Sequence, residues 1–115
     1  MLVLLDNDVP YGLRRLLRPH ACFHAKQLDW MTLQNGRLLR AAEERHFEVP
    51  ITADQSIFHQ QNNATRVIAL IQLSTPSWKR VRSAHALILA AVERATPGSF
   101  ERVEIPAVST EKDND

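Results

Sequence analysis

The sequence predicts an α/β fold, a three-layer α/β/α sandwich around a mainly parallel central sheet, and three observations carry that expectation. Short apolar runs recur along the chain at strand length. Between them lie segments whose apolar residues repeat at helical spacing. The first run is apolar throughout rather than alternating, which marks a strand buried on both faces.

That first run is Met1 to Leu5, broken at once by Asp6-Asn7-Asp8. Asp8 or Asn7 is placed to cap a helix that tolerates Pro10 in its first turn and turns Leu13, Leu16 and Leu17 inward. Arg14, Arg15 and Arg18 then fall on or beside its solvent side. Ala21 to His24 reads as a second strand, and Asp29 to Leu33 as a connection with Trp30 packed beneath it. Asn35 opens a helix with Leu38, Leu39, Ala41 and Ala42 on one stripe. Phe47 to Thr52 is the third strand, and Pro50 pushes it toward an edge or a bulge because proline donates no ladder hydrogen bond.

The segment Asp54 to Ala64 is rich in amides, with room for a further helix. Val67 to Leu73 is a fourth strand. Ser77 to Ala95 carries Trp78, Val81, Ala84, Leu87, Ile88 and Ala91 at helical spacing and is stopped by Pro97-Gly98. Phe100 to Ile105 is a last strand. Residues 1–106 therefore form one domain, and the polar tail 107–115 is expected to be disordered.

Composition narrows the function classes. With 44% hydrophobic and 23% charged residues, the 115-residue chain reads as an ordinary soluble globule. A net charge of +1 gives no argument for nucleic acid or membrane, so local clusters must supply one. Cys22 is the one cysteine, which excludes a disulfide within the chain and suits a small buried hydrophobe. No apolar stretch is long enough to span a bilayer, and no basic region precedes the first apolar run, so a cytoplasmic location is the default expectation.

In parallel α/β sheets, ligands gather beyond the carboxyl ends of the strands. Asp6 follows the first strand and Asp54 the third, so both are expected on one rim. With Asp8 they offer carboxylate oxygens suited to a hard cation such as Mg²⁺ or Mn²⁺. Such a cation polarises a phosphate and acidifies water, the chemistry of metal-dependent nucleases. Asn35 adds an amide oxygen at a helix start. The plainer alternative is that Asp6 or Asp8 caps the first helix and Asp54 sets a turn.

Arg14, Arg15 and Arg18, with Lys79, Arg80 and Arg82, form two basic groups able to track a phosphate backbone or simply to face water. The five histidines show no pair at metal-ligand spacing and read as solvated or packed imidazoles. There is no Gly-rich phosphate loop and no nucleophile elbow.

The run Leu4-Leu5-Asp6-Asn7-Asp8-Val9-Pro10, followed by Leu13, Leu16 and Leu17, resembles the opening of the PIN-like toxin-type proteins, relatives of the VapC-type ribonuclease toxins. The likeness continues through His20, Leu28, Trp30, Leu33, Gly36, Leu38, Leu39 and Ala42 to Thr52-Ala53-Asp54, covering roughly residues 2–73. It implies a metal-dependent ribonuclease using Mg²⁺ or Mn²⁺, held in check by a small antitoxin protein. Asp6 matches the family's first acid and Asp54 the acid after the third strand.

The chain departs from the pattern in three places. Asn35 and Ser56 stand where acids are common, and the second residue of the opening pair is Asn7, with Asp8 next to it. The site therefore carries fewer charges than a typical member. Asp6, Asp54 and Asn35 are the expected catalytic residues, and Asp6, Asp8 and Asp54 the metal ligands. Asn7, Gln55, Gln60, Gln61, Asn62 and Arg14 are the expected substrate contacts. The competing expectation is a catalytically degenerate module that binds a partner protein or nucleic acid through these amides. A phosphoacceptor domain shares the early acids and Asp54, but no late strand ends in Ser or Thr and then Lys.

Overall fold

Five strands, β1 (Leu2–Leu5), β2 (Ala21–His24), β3 (Val49–Thr52), β4 (Leu70–Leu73) and β5 (Phe100–Val103), make one sheet in the order β2-β1-β3-β4-β5. Every neighbouring pair is parallel. The structure, a computed structural model, describes residues 1–33, 35–56 and 67–108. Its helices are α1 (Leu13–Leu16), α2 (Asn35–Glu44), α3 (Trp78–Ser83) and α4 (His85–Arg94), with a 3₁₀ turn at Ala25–Leu28. The helix expected between Asp54 and Ala64 falls mostly outside the described residues, as does the tail from 109 onward.

Alternation along each strand sorts side chains to two faces. Val3, Leu5, Ile51, Ile71 and Leu73 are buried on one face with Leu13 of α1, Val81 of α3 and Ile88 of α4. Leu4 faces the other way, onto Leu38 and Ala42 of α2 and onto Phe47. Leu70 joins that second side with Leu39. Helices thus cover both faces, as an all-parallel sheet requires. Trp30 packs as expected, its ring edge-to-face with Phe47 at 6.1 Å. No helix among the described residues is long and apolar enough to cross a membrane.

Three local expectations are corrected. Pro50 lies on a central strand, between β1 and β4, not at an edge. The pairing with β4 is registered only at Ile51 and Thr52, so a residue without an N–H stands just before that ladder begins. The first helix starts at Leu13 after Gly12, with no side-chain cap, because Asp8 and Asn7 are engaged elsewhere. The long helix from Ser77 is two helices joined at Ala84, whose φ of −105° and ψ of 18° leave the helical range. That break shifts the phase of the stripe: Ile88, Ala91 and Val92 are buried while Leu87 is 48% exposed.

Two polar devices fix the ends of elements. After α2, His46 adopts φ 65°, a position usually taken by glycine, and Phe47 N–H donates to Ala42 O at 2.8 Å. Beyond β5, Arg80 donates to the carbonyls of Ile105 (2.6 Å) and Pro106 (3.3 Å), tying the chain after β5 to α3.

Candidate metal centre

The strand order creates the site. From β1 the chain moves outward to β2 and then returns to place β3 on the other flank of β1. At such a reversal the connections leave in opposite directions and open a crevice at the carboxyl ends. Asp6 sits at the end of β1, and its N–H donates to Ile51 O of β3 at 2.8 Å. Asp54 lies just beyond β3, on the same rim.

Hydrogen bonds hold the acids in place. Asp6 is only 8% exposed. Its Oδ2 accepts from the Thr52 hydroxyl at 2.8 Å and its Oδ1 from the Asn7 N–H at 2.7 Å. The same Thr52 oxygen accepts from the Asp54 N–H at 3.0 Å. Asp8 Oδ1 accepts from the Ala53 N–H at 3.1 Å, joining the loop after β1 to the loop after β3. Asp54 Oδ1 accepts from both the N–H and the hydroxyl of Ser56, an Asx turn, so Asp54 does set a turn.

Their charges oppose one another. Burial pushes the Asp6 carboxyl above its ordinary value, and the charge of Asp54 adds to the rise. The Thr52 and Asn7 hydrogen bonds pull the other way. Asp8 is raised too, first by burial and then by the charges of Asp6 and Asp54. Among the described residues none of the three acids has an ion-pair partner. The donor set is therefore hard oxygen under mutual repulsion, which a divalent cation relieves.

The described residues do not form a closed cage, since no group of three or more His, Cys, Asp or Glu side chains among them is arranged to hold a metal ion. An open Mg²⁺ site, in which one or two carboxylates are completed by water and substrate phosphate, needs no such group.

The remaining candidates divide. Asn7 donates through Nδ2 to the carbonyls of Met31 (2.8 Å) and Trp30 (3.3 Å), tying the connection after β2 to the rim. Gln55 Nε2 donates to Ala53 O and Leu73 O, and Gln55 Oε1 accepts from Arg102 at 2.5 Å. Both amides are spent on the protein's own backbone and side chains. Arg14 lies 4.3 Å over the Tyr11 ring, on α1. The Asn35 side chain and Gln60, Gln61 and Asn62 lie outside the described residues.

Sequence reasoning missed the supports of the site. Thr52 bridges Asp6 and Asp54. Gln72, 2% exposed on β4, donates to Asp54 O at 2.9 Å and accepts from Arg102 of β5 at 2.9 Å. A glutamine inside the apolar run 67–73 was the available signal. His24 is the packed imidazole expected. Its Nδ1 accepts from the Lys26 N–H, which leaves Nε2–H to donate to Val9 O at 2.8 Å.

Beside Asp8 a cavity of about 390 Å³ opens between Tyr11, His24, Lys26 and Trp78. A larger one, about 530 Å³, lies beside Glu43, His46 and Glu48 at the other end of the strands, away from the three acids.

Thr52→Val should loosen the acidic cluster without removing a carboxylate. Valine keeps the strand shape but removes the donor to Asp6 and the acceptor for Asp54 N–H. The expected loss is about 1–3 kcal/mol in stability, and about 10–100-fold in affinity for any Mn²⁺ that the acids take up. Denaturant titration and calorimetry measure the two.

Compared with models of known families, with curated proteins and with solved structures, the chain matches none.

Proposed function

We propose that the chain is a Mg²⁺- or Mn²⁺-dependent ribonuclease-like domain of the PIN-like toxin type, with a partly depleted acidic site. The observation that carries this reading is the set of Asp6, Asp8 and Asp54 at the β1/β3 reversal, with the charge of Asp54 adding to the cost of ionising Asp6 and Asp8 and none of the three neutralised by a described cation. Asp6, Asp8 and Asp54 would hold the cation, with Thr52 fixing the orientation of Asp6. By the resemblance, Asn35 would orient water or substrate. A bound divalent cation supplies a polarised phosphate and a more acidic water. The partner implied is a small antitoxin protein that covers the rim.

The test is cleavage of single-stranded RNA by purified protein in Mn²⁺, beside Mn²⁺ calorimetry. Cleavage that stops in chelator, with Mn²⁺ binding at the rim, supports the reading. Neither cleavage nor Mn²⁺ binding removes it.

A second reading is a degenerate PIN-like module that binds a partner protein or nucleic acid without cutting. It draws on the engagement of both Asp6 oxygens and of Asp54 Oδ1 by internal donors, which leaves fewer oxygens for a cation. Partner binding with no Mn²⁺ affinity would favour it. The phosphoacceptor alternative gains nothing from β5, which is followed by Glu104 where that layout needs a lysine.

A further inference from the structure

We propose that the surface of Tyr11 and Trp78, flanking the acidic rim, is a stacking platform that binds a single strand of nucleic acid and leads its phosphates toward Asp8. The inference rests on the nuclease reading for what the strand is bound for, but its own evidence lies outside the acids.

Two large aromatic side chains stay open to solvent here, Tyr11 at 42% and Trp78 at 39%. One such ring on a surface is ordinary, but two beside one cavity form a patch of the kind that marks a binding site. Both line the cavity beside Asp8. Their positions are fixed: Trp78 lies so close to Gly12 that a Cβ there would come within 2.7 Å of the ring. Tyr11 is held edge-on to the buried His24 ring, with centroids 5.3 Å apart. A rigid aromatic face loses little freedom when a base stacks on it.

Each ring also carries cations. Arg14 Cζ is 4.3 Å and Lys26 Nζ 5.9 Å from the Tyr11 centroid, and Arg82 Cζ is 5.8 Å from that of Trp78. None of these three cations has an ion-pair partner among the described residues. The fold brings the two basic groups of the sequence side by side, because α1 packs against α3. Aromatic faces interleaved with arginine and lysine are what sequence-tolerant binding of single strands uses: bases stack, and cations follow the phosphates.

Duplex nucleic acid hides its base faces and gains only the charge term. An acidic peptide would meet the cations but leave the ring faces without a flat partner. The occupant that uses both is a single strand. Its phosphate would meet Asp8 at the cavity, where a cation on the rim would offset the repulsion.

The experiment is anisotropy of fluorescein-labelled RNA and DNA strands about a dozen nucleotides long, in EDTA and low salt, so that neither cutting nor metal is needed. Single strands of both sugars should bind more tightly than a duplex, with affinity falling as salt rises. Tyr11→Ala and Trp78→Ala should each weaken binding about tenfold or more, while Trp78→Phe should stay near wild type. As a second readout that needs no alanine variant, RNA should quench the tryptophan fluorescence of Trp30→Phe, whose one remaining tryptophan is Trp78. The quench should vanish in Trp78→Phe.

Duplex binding as tight as single-strand binding, displacement by polyglutamate at equal charge, or binding indifferent to both ring variants would overturn the platform. Strand binding in EDTA without cutting in Mn²⁺ would sink the nuclease reading and keep the platform. Cutting in Mn²⁺ with no dependence on Tyr11 or Trp78 would do the reverse.

Discussion

Asp6→Asn is expected to cripple the proposed Mn²⁺-dependent cleavage and, in chelator at neutral pH, to raise the melting temperature. The two effects share one cause. The ionised Asp6 carboxylate is buried beside Asp54 and lacks a cationic partner among the described residues, so its charge costs the folded state. Asparagine keeps the shape and one acceptor while removing that charge. Activity should fall by about a hundredfold or more, since even groups that merely orient metal ligands cost 10–100-fold when removed. Gains in stability from blunting a functional charge are a common trade.

The pH dependence has a definite sign. Above the raised value both folded and unfolded Asp6 are ionised, and the wild type bears the full charge cost. As pH falls through that value, the folded state takes up a proton that the unfolded state does not, so the wild type gains stability. Below the ordinary value of 3.8 both states are neutral and the gain is complete. Asp8, also raised, acts in the same direction. The advantage of Asp6→Asn should therefore be larger at pH 7 than at pH 4. Mn²⁺ should reverse the order by stabilising the wild type alone, by about 2.7 kcal/mol at a hundredfold excess over its Kd. Thermal unfolding in EDTA and in Mn²⁺ measures all of this. A variant less stable than wild type at pH 7 in EDTA would mean that Asp6 is chiefly an acceptor for Thr52 and Asn7.

Ile71→Ala should be among the most damaging single changes in the core. Ile71 is 1% exposed on β4, opposite Ile51 of β3 and Glu101 of β5, and it belongs to the larger hydrophobic cluster. Truncation removes buried methyl groups and leaves a cavity that a close-packed sheet cannot refill, at about 2–5 kcal/mol. Against a total of about 5–15 kcal/mol for a typical domain, that is a large fraction. Leu87→Ala on α4 is the matched control. Periodicity read through an unbroken helix puts Leu87 inside, whereas the break at Ala84 puts it outside, so its loss should stay within about 0.5 kcal/mol. Urea titrations of the pair compare the two phases directly.

Much of the fold is legible in short windows of sequence. All five strands lie within or overlap the apolar runs that predict them, because period and run length are properties of neighbouring residues. The helices are legible as amphipathic stripes, although neither the late start of α1 nor the break at Ala84 carries a decisive local mark. Pro50 misled because a proline is read as an edge signal. Its place on a central strand depends on where the neighbouring ladder begins, which no window around residue 50 contains.

The acidic centre divides along the same line. That Asp6 and Asp54 follow strand-like runs is plain from neighbouring residues, and with the rule for parallel sheets this is enough to expect them on one rim. The folded sheet alone pairs β3 with β1, so that Thr52 reaches Asp6 across 46 residues of chain. It alone decided that Gln55, Gln72 and Arg102 bolt the Asp54 loop to β4 and β5 across up to 47 residues. It also set Tyr11 and Trp78 around one cavity. The reason is physical: propensity and periodicity act within a few residues, whereas these contacts exist only once the burial of both faces of the sheet has fixed strand order and register.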